Sequence, residues 1–251
     1  MVYIGYKGTN TNMNAPTLFA IIVLAAIIHA SFQLSVSVLT LVSGHALGAA
    51  TRRRRVMNLL SGFTLGAMTM TLLMLATLAY VAYSTMGNHV PPLVWAVVCG
   101  LMAGVAVAIW VFYYRRGPGT ALWLPRPMAY FLHNRVKSTE LTAEAFSLGL
   151  TSVIAEILFA IAPLGAAACA MVMLPRSMQI VGLITYTIIT TLPLLSVVVL
   201  VGGGRRLSTI QKWRDTNKRF IQFVAGAALF VLAFYIYVNA VLAPLWLKVP
   251  L

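Results

Sequence analysis

Six long apolar runs alternate with short polar segments along this chain. They are Pro16–Ala50, Met57–Thr85, Leu93–Tyr114, Leu141–Leu174, Met178–Gly202 and Phe220–Leu247. A helix rises ~1.5 Å per residue, so about 20 apolar residues cross a ~30 Å hydrocarbon layer. Each run is long enough, and the pattern predicts an all-α polytopic membrane protein with six transmembrane helices. The punctuation agrees. Met86-Gly87-Asn88-His89 and Pro91-Pro92 make a tight turn after the second run, Pro175-Arg176 ends the fourth, and Gly202-Gly203-Gly204 stops the fifth. The first run has no Pro or Gly between Pro16 and Gly44. It therefore reads as one tilted helix whose last turns enter the membrane interface.

Polar positions within the runs carry more information than their apolar background. In the first run Ala26, His29, Gln33, Ser37, Thr40 and Gly44 recur at spacings of three and four, so on a helix they share a face. Lipid cannot satisfy such a stripe, which must turn toward protein or water. Shifting the stripe by 123 residues lands it on Gly149, Ser152, Glu156, Ala160, Pro163 and Ala167. All six are small, polar or helix-perturbing. Gln33 falls on Glu156, and in the following run Thr64 falls on Thr187.

Basic residues set the orientation. Loops 51–56, 115–141 and 203–219 hold fifteen of the eighteen Lys and Arg, which places them on the cytoplasmic side. Six spans then put both termini outside. Spans one to three and four to six run in opposite directions, so a related pair of halves would be a 3+3 inverted-topology repeat. The expected organisation is a polar tail (1–15), a first three-helix half (16–114), a basic cytoplasmic loop (115–141), a second half (142–247) and a short tail (248–251). Residues 1–14 lack the basic and apolar regions of a cleavable signal peptide. Within the long loop, Pro118, Pro125 and Pro127 exclude regular helix from its first half, and Met128–Val136 could lie in the interface. Ser138 or Thr139 is the expected N-cap of the fourth helix, with Glu140 and Glu144 near its positive end.

Composition narrows the class. Charged residues are 9% of the chain, against about a quarter in soluble domains, and four acids face eighteen bases. The clustering of those bases between apolar runs fits anionic lipid headgroups and argues against nucleic acid. The two cysteines, Cys99 and Cys169, form no CxxC pair and read as core-filling residues. No Walker ending follows Gly204, and no HExxH, catalytic Ser-His-Asp order or buried Lys is present. No cofactor or metal is expected.

Glu156 is the strongest single signal, because it is the one acid well inside an apolar run. Translocon scales put an acid at mid-membrane at a cost of roughly 2.5 kcal/mol or more. Such a residue is a candidate proton carrier or cation ligand; the competing reading is a protonated Glu that ties two helices together. His29 and Gln33, one turn apart, can reach one ligand, although an inward His is as often a packing donor. Pro163 and Pro193 would each free a backbone carbonyl inside a span, through a broken helix or a static kink. Ser37 and Ser152 complete the two stripes. Thr64, Thr69, Thr71, Thr187, Thr190 and Thr191 add hydroxyls on spans two and five, where most such groups bond to their own helix.

The six-span plan, the basic linker between spans three and four and the small-polar first and fourth helices resemble the lysine-exporter superfamily of small exporters and the related CcdA-type thiol-transfer proteins. The segment Gln211-Lys212-Trp213, with Asn217-Lys218-Arg219-Phe220 and Gly226, is similar to the last basic loop and final helix of that group. The chain departs from the thiol-transfer type, which needs a cysteine in each of the first and fourth helices. Cys169 lies in run four, but the other cysteine is in run three. The proline-rich start of the exporters' first helix is also missing.

These features lead to an expected secondary transporter or exporter of a small solute or ion, proton- or ion-coupled, in a bacterial or archaeal cytoplasmic membrane. Its path would run between runs one and four, lined by Glu156, His29, Gln33, Ser37, Ser152, Pro163, Thr187 and Pro193. The expected partners are membrane lipids and the solute, with a homo-oligomer left open. The alternatives are a non-transporting assembly factor or complex subunit, whose polar stripes are packing seams, and an intramembrane lipid-modifying enzyme using Glu156 and His29 as acid and base.

Overall fold

The computed structural model describes residues 13–32, 52–113, 141–204 and 207–243. They form helices α1 (Ala15–Ser31), α2 (Arg52–Met86), α3 (Pro92–Ala108), α4 (Thr142–Ala155), α5 (Ile157–Met173), α6 (Arg176–Gly202) and α7 (Leu207–Ile236). Short π-helical segments extend α3 over Ile109–Tyr113 and α7 over Tyr237–Leu242. Among the described residues there is no strand.

Local chemistry fixes most boundaries. The Asn14 side-chain oxygen accepts from the Thr17 N–H at 3.1 Å, and Pro16 fits the first turn of α1. Gly87, at φ 64°, donates its N–H to the Tyr83 carbonyl and closes α2 at the expected turn. The Glu144 carboxylate accepts the Leu141 N–H at 3.1 Å at the start of α4. The expected caps Ser138 and Thr139 lie outside the described residues, as do Gln33, Ser37 and the 115–140 loop. The arginine block joins α2 and the segment from Leu207 joins α7, so both helices begin earlier than their apolar runs.

Two expectations are corrected. The first run is not one helix: α1 stops at Ser31, and the Phe32 N–H turns back to the His29 carbonyl at 3.1 Å. The fourth run is also broken. Its halves α4 and α5 meet at Glu156 with a bend of 78°. Glu156 has φ −82° and ψ −4° and donates its N–H to the Val153 carbonyl; Phe32 has φ −88° and ψ −6° with the same i−3 bond. Two helix ends of matching geometry thus sit 124 residues apart, one away from the offset that aligned the polar stripes.

Among the described residues four helices are long and apolar enough to cross a membrane, or five if α4 and α5 form one broken span. Their faces are reversed relative to a water-soluble bundle. On α6 the outward stripe is Ile180, Ile184, Ile188, Leu192, Leu195 and Val199, whereas the buried face carries Tyr186, Thr187, Thr190 and Thr191. A soluble monomer does not present such a continuous apolar face, and in lipid it needs no cover.

The buried apolar residues divide into two cores. The larger joins α1, α3, α5, α7 and, from the other helices, Leu75 of α2 and Tyr186 of α6. The smaller joins Val56–Ala67 of α2, Ala145–Ala155 of α4, and Leu194 and Val197 of α6. α1 packs on α5 and α6, α4 packs on α2, and the pairs α2–α6 and α3–α7 complete the bundle. With the halves superposed in chain order, α1 on α6 exchanges with α4 on α2. Trp110 lies between Phe223 and Phe230 of α7 and nests on Gly226.

The α2–α4 crossing is backbone on backbone. A Cβ at Gly66 would strike the Phe146 carbonyl oxygen, and one at Gly149 would strike the Phe63 carbonyl oxygen. The Gly62-x-x-x-Gly66 spacing is the signal in the sequence for this contact. Gly66→Ala and Gly149→Ala should each lower the unfolding free energy by about 1–3 kcal/mol, since a backbone cannot step aside as a side chain can. Gly100 and Gly104 face open space, so alanine there should be neutral or stabilise by up to about 1 kcal/mol through helix propensity. Unfolding of the four variants in detergent micelles checks this; equal behaviour of the two sets would remove the crossing as a stability determinant.

Candidate functional site

Among the described residues, buried polar side chains lie in a layer between the two cores on three elements, and Met74 of α2 touches both cores. On α2 the smaller core ends at Ala67 and the larger begins at Leu75; Thr71 lies between. On α6 Tyr186 belongs to one core and Leu194 to the other; Thr187, Thr190 and Thr191 lie between. Ala155 ends the smaller core and Phe159 resumes the larger, with Glu156 between them. Ser152 precedes Glu156 by one turn and is fully buried. The layer crosses each element near its middle. Thr69 is the midpoint of Arg52–Met86, Ile189 is that of Arg176–Gly202, and Glu156 divides 14 residues of α4 from 17 of α5.

Glu156 is 3% exposed and sits where the helix is interrupted. Its carbonyl accepts the Phe159 and Ala160 N–H groups at 2.9 and 3.0 Å, which starts α5. An acid at this point faces the positive end of α5 and the negative end of α4 at once. Its side chain makes no cap hydrogen bond to the first N–H groups of α5.

His29, 1% exposed, projects from the last turn of α1. Its Nδ1 is 2.9 Å from the Tyr186 hydroxyl, so the bond ties α1 to α6. The two rings lie 5.8 Å apart and tilted by 47°. Among the described residues neither side chain has a second hydrogen-bond partner. One turn on, Phe32 stacks on Phe159 at 6.3 Å. The end of α1 therefore meets the start of α5, and the two interruptions lie at one junction.

The hydroxyls of the layer are held by their own helices. Thr71 donates to the Ala67 carbonyl at 2.9 Å, Thr187 to Leu183 at 2.8 Å, Thr190 to Tyr186 at 2.9 Å and Thr191 to Thr187 at 2.8 Å. Ser152 donates to the Gly149 carbonyl at 2.8 Å. A hydroxyl that donates in this way keeps acceptor lone pairs on its oxygen. The polar positions between the cores thus carry hydroxyl oxygens and one carboxyl, hard oxygen groups rather than the thiolates and imidazoles a soft metal prefers. No cluster of three or more His, Cys, Asp or Glu occurs among the described residues.

Of the residues expected to line a path, Glu156, Ser152 and Thr187 are buried, and His29 is bonded to Tyr186, the residue before Thr187. Pro193 lies at the boundary, just before Leu194. Pro163 does not belong there: it is buried inside α5, whose helix runs through it, and the break falls seven residues earlier at Glu156. Pro163 has no N–H to give the carbonyl four residues back, yet α5 continues through it, and the break falls where α4 packs on α2 and α5 on α1. Gln33 and Ser37 lie outside the described residues. Tyr186 was missed by sequence reasoning; its signal was a tyrosine far from either end of an apolar run. Cys99 and Cys169 are free, buried thiols in the larger core.

In comparisons with known proteins, no family model, no curated protein and no solved structure matches this chain. The described residues form a helical protein with helices long and apolar enough to cross a membrane and with buried polar positions between its cores.

Tyr186→Phe leaves the His29 Nδ1 without its partner and should cost about 1–3 kcal/mol, the penalty of a buried unsatisfied group. His29→Leu in the Tyr186→Phe background should then recover part of that loss. Unfolding of the double-mutant cycle measures the coupling, and a coupling near zero would mean that the bond contributes nothing.

Proposed function

We propose that this chain is a multi-pass secondary transporter or exporter of a small solute or ion, coupled to protons or another ion. The observation that carries this reading is the position of Glu156. It is a buried acid at the interruption of an apolar helix, level with the polar layer between two cores. Interrupted helices whose ends meet inside the membrane are a recurrent way to build a substrate or ion site. In this reading Glu156 carries the proton or binds the cation, and His29, together with Gln33, contacts the solute or relays its proton. Ser37, Ser152, Thr187 and Pro193 flank the path.

The proposed topology has six spans, both termini outside the cytoplasm and two halves of inverted orientation. The exchange of α1–α6 with α4–α2 and the matching helix ends at Phe32 and Glu156 support it. So does the resemblance to the small exporters of the lysine-exporter superfamily. A bacterial or archaeal cytoplasmic membrane, with anionic lipids against the basic loops, is the proposed setting.

A second reading has a specific observation in its favour. Every threonine and serine quoted in the layer already donates to its own helix, as packing seams do. The protein would then be a non-transporting assembly factor or complex subunit.

The experiment is reconstitution into liposomes under an imposed proton gradient. Uptake and release of a panel of labelled amino acids, organic cations and inorganic ions are then followed. Solute flux by the wild-type protein, lost at least about tenfold in a Glu156→Gln protein that still elutes as a folded species, is the expected result. Flux that survives Glu156→Gln removes the proposed role of the acid. A wild-type protein that moves nothing in the panel but co-purifies with a stoichiometric membrane partner favours the second reading. Topology is checked separately: reporters fused after residue 88 should read as external and those after residue 204 as cytoplasmic.

A further inference from the structure

The division of the core has a mechanical side that does not depend on transport. Three connections cross from the smaller core to the larger, and each is weakened where it crosses. The α4–α5 connection is interrupted outright at Glu156, with the 78° bend. In α6, Pro193 cannot donate to the Ile189 carbonyl, so one helical bond is missing at the boundary. Thr187, Thr190 and Thr191 on the preceding turns draw the carbonyls of Leu183, Tyr186 and Thr187 toward their hydroxyls, a pattern that bends helices. In α2 the crossing point carries Thr71, bonded back to the Ala67 carbonyl in the same way.

Within each body, by contrast, the contacts resist sliding. The smaller core is locked by the backbone contacts of Gly66 with Phe146 and of Gly149 with Phe63. The larger core surrounds α5, which is buried on almost every side from Phe159 to Val172. The buried apolar residues of α3 and α7 belong to the larger body.

We propose that the smaller core moves as one rigid body against the larger. It comprises the first half of α2, all of α4 and the last third of α6. Thr71, Glu156 and the Thr187–Pro193 segment form a single hinge plane. The polar layer is the surface along which the two bodies part. A dry apolar seam would resist opening to water, whereas hydroxyls and a carboxyl can take water in as the bodies separate. Coupling among the three crossings follows from the rigidity of the smaller body, because it cannot turn about one of them without bending the other two.

The test uses spin-label distances on the full chain in lipid nanodiscs. Labelled cysteines at Leu65 and Leu101, both exposed on the outer faces of α2 and α3, report across the two bodies. The pair Leu65 and Ser147 reports within the smaller body, and the pair Leu101 and Phe230 within the larger. The native cysteines are buried, and the same pairs in a Cys99→Ala, Cys169→Ala background control for stray labelling. The expected cross-body distribution has two peaks or roughly twice the width of either internal pair, the behaviour of a hinged domain. Pro193→Ala, which restores the missing bond in α6, should narrow it without changing the internal pairs.

A cross-body distribution as narrow as the internal ones overturns the hinge. So does broadening of the Leu65–Ser147 pair, which would show that the smaller core is not rigid. If Pro193→Ala alters its own region but leaves the cross-body distance unchanged, the three crossings do not form one hinge, and the proposal also falls. None of these outcomes bears on solute flux, so a rigid protein that transports would leave the transporter reading standing.

Discussion

The outer faces of these helices are apolar, so hydrogen bonds have to be completed inside. That constraint governs the rest of the structure. On α6 the outward stripe runs from Ile180 to Val199, and the polar groups, Tyr186 and three threonines, face the interior. An unfilled hydrogen bond in lipid costs several kcal/mol, comparable to the whole stability margin of many domains. The threonines meet the constraint by bonding to their own carbonyls and His29 by bonding to Tyr186. Among the described residues the fully buried apolar side chains form two clusters, with polar positions between them and Met74 in contact with both.

Glu156 is where the constraint is hardest to meet, and the chain breaks there. A continuous helix through residues 142–173 would carry its acid along a straight path between α1 and α2. The bend lets α4 press backbone to backbone on α2 while α5 enters the larger core against α1. Close approach at glycine thus holds one side of the junction, and ring stacking of Phe32 on Phe159 holds the other. The acid is buried at the only place among the described residues where a membrane-length apolar run is interrupted by more than 40°.

A good part of this was legible in the sequence. The apolar runs located the described spanning helices within a few residues, apart from the basic extensions of α2 and α7. Gly87 and Gly202–Gly204 ended helices where expected. Glu156, Ser152, Thr187 and the last part of α1 turned inward as a polar residue in lipid must. Pro163 was read as either a break or a kink, and α5 runs through it, buried over most of its length from Phe159 to Val172. The uninterrupted look of the first run misled, because a helix can end at Phe32 with no breaker residue when its last N–H turns back to an i−3 carbonyl.

Hydropathy, charge clustering and the lone acid determined by themselves that the chain is helical, suited to a membrane, and carries polar groups that cannot face lipid. Each of these follows from the local solvent preference of a residue and its periodicity along one helix. Only the tertiary structure decided which polar groups meet. It paired His29 with Tyr186, which are 157 residues apart. It placed the interruption at Glu156 rather than at a proline, and it divided the core in two. Those outcomes depend on how closely two backbones can approach at Gly66 and Gly149, a property of pairs of helices that no single run of sequence contains.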